Sequence, residues 1–244
     1  MNLVKHRFFL LFHCFVFTHI HTAAQNTQLP KSSYGVPVIN TITTYKNSVQ
    51  NDTNKELVEL KTLLPGIVYD LRYASQQNFV HQAVYPVATN KTFLRKPAAQ
   101  ALVQIQTVLQ QQKLGIKIFD AYRPYHITVK FWELVKDDRY VANPANGSGH
   151  NRGLAIDLTL IDLTTGKELD MGTGFDNFSD TARHSFIQLP ATVLKNRQLL
   201  KNLMQQYGFV ALETEWWHYA WPNNHNYEVM DLPHKKIAAV KFKK

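Results

Sequence analysis

The segment SGHNRGLAIDLTL, residues 148–160, joins a histidine, a glycine turn and an apolar run that carries one carboxylate. His150 comes just before the glycine, and Asp157 lies inside AIDLTL, a run of the kind that forms a buried strand. Burial makes a carboxylate costly unless it is paired or bound to a metal. The segment therefore predicts a central strand with a functional acid on it.

Helical and extended patterns mix irregularly on both sides of this strand. Helical spacing is found in residues 54–66, 96–115, 126–138 and 191–207, and strand patterns in residues 67–74, 116–124, 154–163 and 209–221. The TTGKEL stretch predicts a hairpin that turns at Thr165 and Gly166. Without regular alternation, these elements predict one α+β domain over residues 56–244, with a mostly antiparallel central sheet flanked by helices.

Residues 1–24 have the layout of a secretory signal peptide. Lys5 and Arg7 come early, an apolar stretch follows, and Ala23 and Ala24 close it. A membrane anchor, the alternative, needs about 18–20 uninterrupted apolar residues. This stretch is interrupted by His13, His19 and His21. We therefore expect an exported protein, periplasmic or secreted, without stable membrane insertion after cleavage near Ala24.

The remaining sequence indicates how the N-terminal segment is organised, whether disulfides form and which partners the charge favours. Residues 25–55 are polar and punctuated by proline and glycine, which predicts a linker or an extended arm lying on the domain. The single cysteine, Cys14, would leave with the signal peptide, so disulfides are not expected. Without Lys5 and Arg7, 25 of the 27 basic residues remain against 18 acidic ones, a formal charge of +7. These charges are spread out, with no arginine-rich helix, and give no support to a nucleic-acid partner.

A hydrolytic metal site can be assembled from two segments. A zinc hydrolase needs three His, Asp or Glu ligands and an open position for water, plus a carboxylate that is not a ligand. His150, Asp157 and His218 meet the first need, and Glu215 in EWWH meets the second. Residues three apart on a strand face opposite sides, so EWWH must bend if both are to face one metal. Taken singly, each of these residues also suits a turn cap, a backbone acceptor or a surface position.

The order of several motifs resembles that of the D-alanyl-D-alanine dipeptidases. SGHNRGLAIDLTL is similar to their SxHxxGxAxD signature, and EWWH is similar to their second zinc motif. The likeness continues in DLRYASQQNF from Asp70, in DAYRP from Asp120 and in LDMGTGFDNFSD from Leu169. It covers most of the chain from about residue 60 to residue 221. The resemblance implies the fold of the zinc D-Ala-D-Ala peptidases, which is shared with the hedgehog signalling domain.

The resemblance also implies roles for the chemical residues. One Zn²⁺ per chain would be held by His150, Asp157 and His218. Glu215 is placed like the family's general base, and Arg123 like the arginine that polarises the scissile carbonyl and stabilises the oxyanion. A guanidinium suits that task because it stays charged and aims several donors at one oxygen. From the residues alone, a salt bridge at the end of a strand is the favoured interpretation of Arg123.

Four further residues would contact the substrate. Asp176 corresponds to the aspartate that holds the free amino group, and Ser148 to a serine near the substrate carboxylate. Tyr73 and Tyr85 resemble pocket tyrosines. Capping of the turn before His150 by Ser148 and ordinary half-buried packing of both tyrosines are the alternatives.

The implied activity is hydrolysis of the D-alanyl-D-alanine dipeptide to two D-alanines, with a role in the turnover of cell-wall peptides. A zinc carboxypeptidase or endopeptidase acting on longer peptidoglycan peptides is the alternative enzyme. Asp176 argues against it, because an amino-group clamp closes the side that a longer peptide would occupy. A wall-binding module that keeps zinc without catalysis is the non-enzymatic alternative.

Overall fold

A five-stranded sheet forms the centre of the computed structural model, which describes residues 28–242. The predicted signal peptide, residues 1–24, lies outside the described residues. The strands are β1 Val38–Ile39, β2 Leu57–Glu59, β3 Val68–Tyr69, β4 Phe93–Arg95, β5 Leu114–Asp120, β6 Ala155–Asp162, β7 Val210–Ala211, β8 His218–Ala220 and β9 Val229–Met230. The helices are α1 Ile42–Asn51, α2 Leu60–Leu63, α3 Lys96–Gln111, α4 Tyr125–Val135, α5 Ala191–Gln206 and α6 His234–Ala238.

The central sheet has the order β3-β5-β6-β8-β7. Only β3 and β5 pair in parallel, and the other three pairings are antiparallel. The predicted α+β domain with a mostly antiparallel sheet is therefore confirmed. A register irregularity in β5 between Ile118 and Asp120 places Asp120 opposite Asp157 of β6. Two carboxylates therefore lie opposite each other where β5 ends and β6 begins.

Helices α3 and α5 contribute to the same hydrophobic core as the sheet. Ala98, Leu102, Ile105 and Leu109 recur at steps of three and four residues along α3, and all four are fully buried. The sequence predicted this helix to continue to Gly115, but it ends at Gln111. The cause is local: Lys113 adopts a left-handed backbone conformation, so the chain turns directly into β5.

The prediction of a helix over residues 54–66 was largely wrong. Leu57–Glu59 forms β2, which pairs antiparallel with β4, and only Leu60–Leu63 is α-helical. The strand predicted over residues 67–74 is also shorter, since pairing stops after Tyr69 and a 3-10 turn follows. Cross-strand partners distant in sequence decide these elements, and they outweigh local spacing.

Residues 28–55 are folded into the domain, so the prediction of a linker or extended arm over residues 25–55 fails for its helical part. Thr41 caps α1 by accepting the N–H of Thr44 at 3.1 Å, and β1 pairs in parallel with β9. The ring of Tyr45 is completely buried, and its hydroxyl accepts the N–H of Leu57 at 2.7 Å. Helix α1 was missed because only Tyr45 and Val49 of its ten residues are buried, which gives a weak period. None of the helices between residues 28 and 242 has the length and apolar character needed to span a membrane.

Arg95, at the end of β4, ties three distant segments together. Its side chain is fully buried and donates to the carbonyl oxygens of Lys55, Arg152 and Glu228. The contact with Arg152, at 2.7 Å, holds the turn between His150 and β6. This one guanidinium therefore joins the N-terminal segment, the histidine turn and the C-terminal strand.

Replacement of Arg95 by Met is expected to lower the free energy of unfolding by about 3 kcal/mol, because three carbonyls lose their charged donor inside the protein. Urea denaturation followed by circular dichroism measures this change. Arg139→Met is the matched control, since Arg139 is exposed and its ion pair is formed locally with Asp137. The control is expected to change stability by less than about 0.5 kcal/mol. Equal losses in the two variants would contradict the bridging role of Arg95.

Candidate metal centre and active site

Three potential metal ligands converge at the ends of β6 and β8. Antiparallel pairing sets Asp157 directly opposite His218, and the turn before β6 supplies His150. One ligand atom from each residue lies within 4.8 Å of the others. Asp157 Oδ1 is 2.9 Å from His218 Nδ1, and Asp157 Oδ2 is 3.4 Å from His150 Nε2. The predicted ligand set is thus assembled within the described residues.

A backbone carbonyl fixes the orientation of His150. Its Nδ1 lies 2.7 Å from the carbonyl oxygen of Ala121. Because that oxygen can only accept, Nδ1 must carry the proton, which leaves the lone pair of Nε2 directed towards Asp157 and His218. Ligating histidines are commonly held by such a bond from the second nitrogen. The tautomer of His150 therefore suits a metal ligand.

The charges at this point also suit a cation. Burial raises the pKa of Asp157, but contacts with His150 and His218 outweigh burial and hold that pKa below its ordinary value. Burial lowers the pKa of His218, whereas its bond to Asp157 outweighs this and raises it. The carboxylate is thus held ionised between the two imidazoles. Two imidazole nitrogens and one carboxylate are a donor set that fits Zn²⁺ with one coordination position left open.

The EWWH segment is bent, as the sequence predicted. The N–H of His218 donates to the carbonyl of Glu215 at 3.2 Å, and β8 begins only at His218. This turn brings Glu215 Oε2 to 3.9 Å from His218 Nδ1. Trp216 and Trp217 are both buried. The turn therefore places a carboxylate beside the ligand set while the two indoles anchor it in the core.

Burial raises the pKa of Glu215 to about 7, against the lowering effect of His218. The negative charge of Asp157 adds to the rise, and Arg123 opposes it. A carboxyl group with a pKa near neutrality exchanges protons readily at physiological pH, as a general acid–base group must.

Arg123 is held at the same site by a buried acid. Its Nε and Nη2 donate to Asp120 Oδ2 at 3.0 and 2.8 Å, and Nη2 lies 4.0 Å from Asp157 Oδ2. The rings of Tyr73 and Phe131 lie about 5 Å from the guanidinium carbon. Arg123 is thus a strand-end salt bridge and a cavity-lining cation at once. The sequence analysis did not single out Asp120, although an acid at the end of the apolar run IKIFD was the same kind of indication as Asp157.

The structure places Tyr85, which was predicted to contact substrate, outside the cavity of the ligand set. Its hydroxyl donates to Asp120 Oδ1 at 2.8 Å, and the residue is buried. Tyr85 does not line the cavity that contains the ligand set, as far as the described residues define it. Arg123 donates to one oxygen of Asp120, and Tyr85 donates to the other oxygen from behind. Tyr85 therefore supports the site without facing it.

Tyr73 and Asp176 both line the cavity and bond to each other. The hydroxyl of Tyr73 donates to Asp176 Oδ1 at 3.0 Å, and the N–H of Phe79 donates to Oδ2 at 3.4 Å. Asp176 has a φ of 61°, a left-handed conformation that aspartate tolerates better than most residues. Burial, reinforced by the charge of Asp157, raises the pKa of Asp176 to about 7. The charge of Arg123 opposes this rise only in part, and no described residue forms an ion pair with Asp176, so this carboxyl would be stabilised by a cationic partner.

Ser148 lines the cavity and also caps the turn. Its Oγ accepts the N–H of Asn151 at 3.1 Å, and its own N–H donates to Asn151 Oδ1 at 3.0 Å. The capping alternative is therefore met in the structure. Because Ser148 also lines the cavity, its predicted contact with substrate remains a prediction that this position allows.

The residues converge on one cavity of about 250 Å³. Its chemical groups are Arg123, Ser148, His150, Asp157, Asp176, Glu215, His218 and Tyr73. The sequence analysis did not anticipate the wall formed by Asp138, Arg139 and Tyr140. The helix predicted over residues 126–138 ends at Val135, so these three residues lie in a loop, and no motif indicates which way such a loop folds.

Comparisons with known proteins agree with this arrangement. The model of the D-ala-D-ala dipeptidase family matches residues 53–238. The D-alanyl-D-alanine dipeptidase of Escherichia coli K12 is 37% identical over 175 residues, which cover 72% of this chain and 89% of that protein. The D-alanyl-D-alanine dipeptidase of Streptomyces coelicolor is 31% identical over 175 residues, covering 64% of this chain and 87% of that protein.

Among solved structures, the vancomycin resistance D,D-dipeptidase VanXYg in complex with a D-Ala-D-Ala phosphinate analogue aligns at 22% identity. The alignment covers 56% of this chain and 54% of that chain, and its TM-score of 0.33 is too low to support an argument. The assignment rests on the sequence comparisons, and the match of the family model from residue 53 to residue 238 includes every residue of the ligand set. The chain belongs to the D-ala-D-ala dipeptidase family of peptidases.

Proposed function

We propose that this protein is a zinc-dependent dipeptidase that hydrolyses D-alanyl-D-alanine to two D-alanines. The observation that carries the proposal is the shared cavity: the ligand set, Glu215, Arg123 and Asp176 all line it. Hydrolytic groups and a carboxylate suited to an amino group are thereby confined to a space of about 250 Å³. Such an enclosure favours a short peptide with a free amino terminus.

His150, Asp157 and His218 would hold one Zn²⁺ per chain. Zinc bound by three protein ligands supplies a Lewis acid that polarises a carbonyl and lowers the pKa of water. The mixed nitrogen and oxygen donors favour zinc over magnesium or calcium, which prefer oxygen ligands alone.

Glu215 would act as the proton carrier of the reaction. It takes a proton from the attacking water and returns it to the leaving amine when the C–N bond breaks. Its raised pKa allows both steps near neutral pH. The backbone turn at EWWH holds it beside the ligands without making it one of them.

Arg123 would stabilise the negative charge that develops on the carbonyl oxygen. Its bonds to Asp120 use Nε and one hydrogen of Nη2, so the guanidinium keeps donors for a substrate oxygen. The flanking rings of Tyr73 and Phe131 fix its plane. A donor positioned before the reaction costs no reorganisation when the charge appears.

Asp176 would bind the substrate ammonium, with Tyr73 holding the carboxylate in place. An ammonium beside Asp176 would supply the positive partner that this buried group needs. Because such a clamp occupies one end of the cavity, chains extended at the amino terminus are disfavoured. This observation favours the dipeptidase over a carboxypeptidase or endopeptidase on longer peptidoglycan peptides.

Export to the periplasm or the exterior belongs to the same proposal. The layout of residues 1–24 supports it. An exported dipeptidase would act on D-Ala-D-Ala released from the cell wall, or trim wall peptides. Fractionation of producing cells tests the location, and retention in the cytoplasm would refute export.

Glu215→Gln is expected to lower kcat by about 10³-fold or more while zinc binding persists, since the amide cannot carry the proton. Steady-state kinetics on D-Ala-D-Ala and metal analysis of the same sample measure both properties. Glu213→Gln is the matched control, because Glu213 is exposed and bonds to Ser185 away from the cavity. Its kcat is expected to remain unchanged. Loss of zinc from the Glu215 variant would instead make this residue structural.

A panel of three dipeptides tests the substrate and the clamp together. We expect hydrolysis of D-Ala-D-Ala, and none of L-Ala-L-Ala or of N-acetyl-D-Ala-D-Ala. Asp176→Asn is expected to lower kcat/KM for D-Ala-D-Ala by about 10²-fold, as an ammonium loses its charged acceptor. Release of alanine measures each reaction. Cleavage of the acetylated compound would move the assignment to a carboxypeptidase, and inactivity on all three would favour a wall-binding module.

Metal analysis tests the ligand set directly. The purified protein is expected to carry one zinc per chain, and His218→Ala is expected to lose it. His225→Ala is the control, because His225 bonds to Asp52 at the surface and not to the ligand set. Full zinc retention by the His218 variant would show that the ion binds elsewhere.

A further inference from the structure

A second cavity, of about 540 Å³, lies behind the catalytic one and shares no lining residue with it. It is enclosed by the segment before β4, the start of α4 and helix α6. Tyr85 forms part of its wall, while the hydroxyl of the same residue reaches Asp120 beneath Arg123. The two cavities are thus back to back, with Tyr85 and Asp120 between them.

The lining of this rear cavity is mainly apolar. Its apolar members are Val84, Tyr85, Pro86, Ala88, Pro124, Ile127, Pro233 and Ala238. His234 is buried, and its ring lies 4.8 Å from that of Tyr85. Its Nε2 is 2.9 Å from the carbonyl oxygen of Tyr122, so this nitrogen is the donor and Nδ1 remains available as an acceptor. Cavities of this size that are apolar with a few polar groups are typical of small-molecule sites.

The charged groups of the rear cavity are all basic. Lys91 and Lys235 line it and are exposed, and neither forms an ion pair with another described residue. His126 also lines it, but it is already bonded to Asp231. No acidic residue is found among the described residues of the lining. An apolar interior with two lysines at its edge is complementary to a molecule that has an apolar body and one negative group.

We propose that the rear cavity binds a small amphiphilic carboxylate, with its chain among the prolines and aliphatic side chains and its carboxylate at Lys91 and Lys235. The proposal is independent of the catalytic assignment, because it concerns other residues and is tested by binding alone.

Isothermal titration calorimetry with octanoate tests the proposal. The protein is expected to bind one octanoate per chain, and octyltrimethylammonium and glutarate are expected to bind at least about tenfold more weakly. The first control keeps the chain but reverses the charge, and the second keeps carboxylates without the chain. Equal binding of octanoate and octyltrimethylammonium would refute the charge selection, and absence of octanoate binding would refute the site.

Two variants locate the bound molecule. Lys91→Glu with Lys235→Glu is expected to weaken octanoate binding about tenfold, because two attractions become repulsions. Lys46→Glu with Lys236→Glu is the matched control, since both lysines are exposed, lie outside the cavity and alter net charge equally. Equal weakening in both double variants would reduce the effect to net charge and overturn the proposal.

Ala238→Trp separates the rear cavity from the catalytic metal, which could also attract a carboxylate. Ala238 lies at the end of α6, is exposed and lines the cavity, so an indole there would fill the space without entering the core. We expect this variant to lose octanoate binding while its thermal unfolding and zinc content remain unchanged. Undiminished binding in Ala238→Trp would place octanoate elsewhere and refute the site.

Discussion

Carboxylates buried at the end of the central sheet determine how the rest of this protein is arranged. Asp120 and Asp157 face each other across β5 and β6, and both are almost fully buried. Burying ionised groups without partners costs several kcal/mol each, so each acid must gather donors or cations. Asp120 is satisfied by Tyr85 and Arg123, whereas Asp157 meets two histidines. The ligand set around Asp157 and the group of residues around Asp120 both follow from these two requirements.

The same constraint explains what the sequence revealed. An acid in an apolar strand is visible without a structure, and Asp157 therefore led to the ligand set. Helix α3 and strand β6 were also predictable, because their patterns are long and regular. Helix α1 has only two buried residues, and β2 is defined by a partner in β4, so neither leaves a clear local pattern. Local periodicity reports burial within one element and carries no information about distant partners.

Tyr85 illustrates the limit for side chains. Its position in the sequence suggests a pocket, and it does line one, but the pocket is the rear cavity rather than the catalytic one. Asp120, which accepts the hydroxyl of Tyr85, follows a register irregularity in β5. A shift of one residue reverses the faces of a strand. Such a register is set by pairing between strands and cannot be derived from a motif.

The excess of acidic groups around the ligand set favours binding of a cation in this cavity. Four acids that are buried or half-buried lie there or directly behind it, Asp120, Asp157, Asp176 and Glu215, and among the described residues Arg123 is bonded to one of them. Asp138 and Arg139 also line the cavity, but both are exposed. Burial and then the charge of Asp157 raise the pKa of Asp176, and Asp157 contributes to the raised pKa of Glu215 as well. A divalent ion at Asp157 would offset its charge for both neighbours. In the proposed function, Asp176 would then stay ionised for an ammonium, and metal binding and substrate recognition would depend on the same carboxylate.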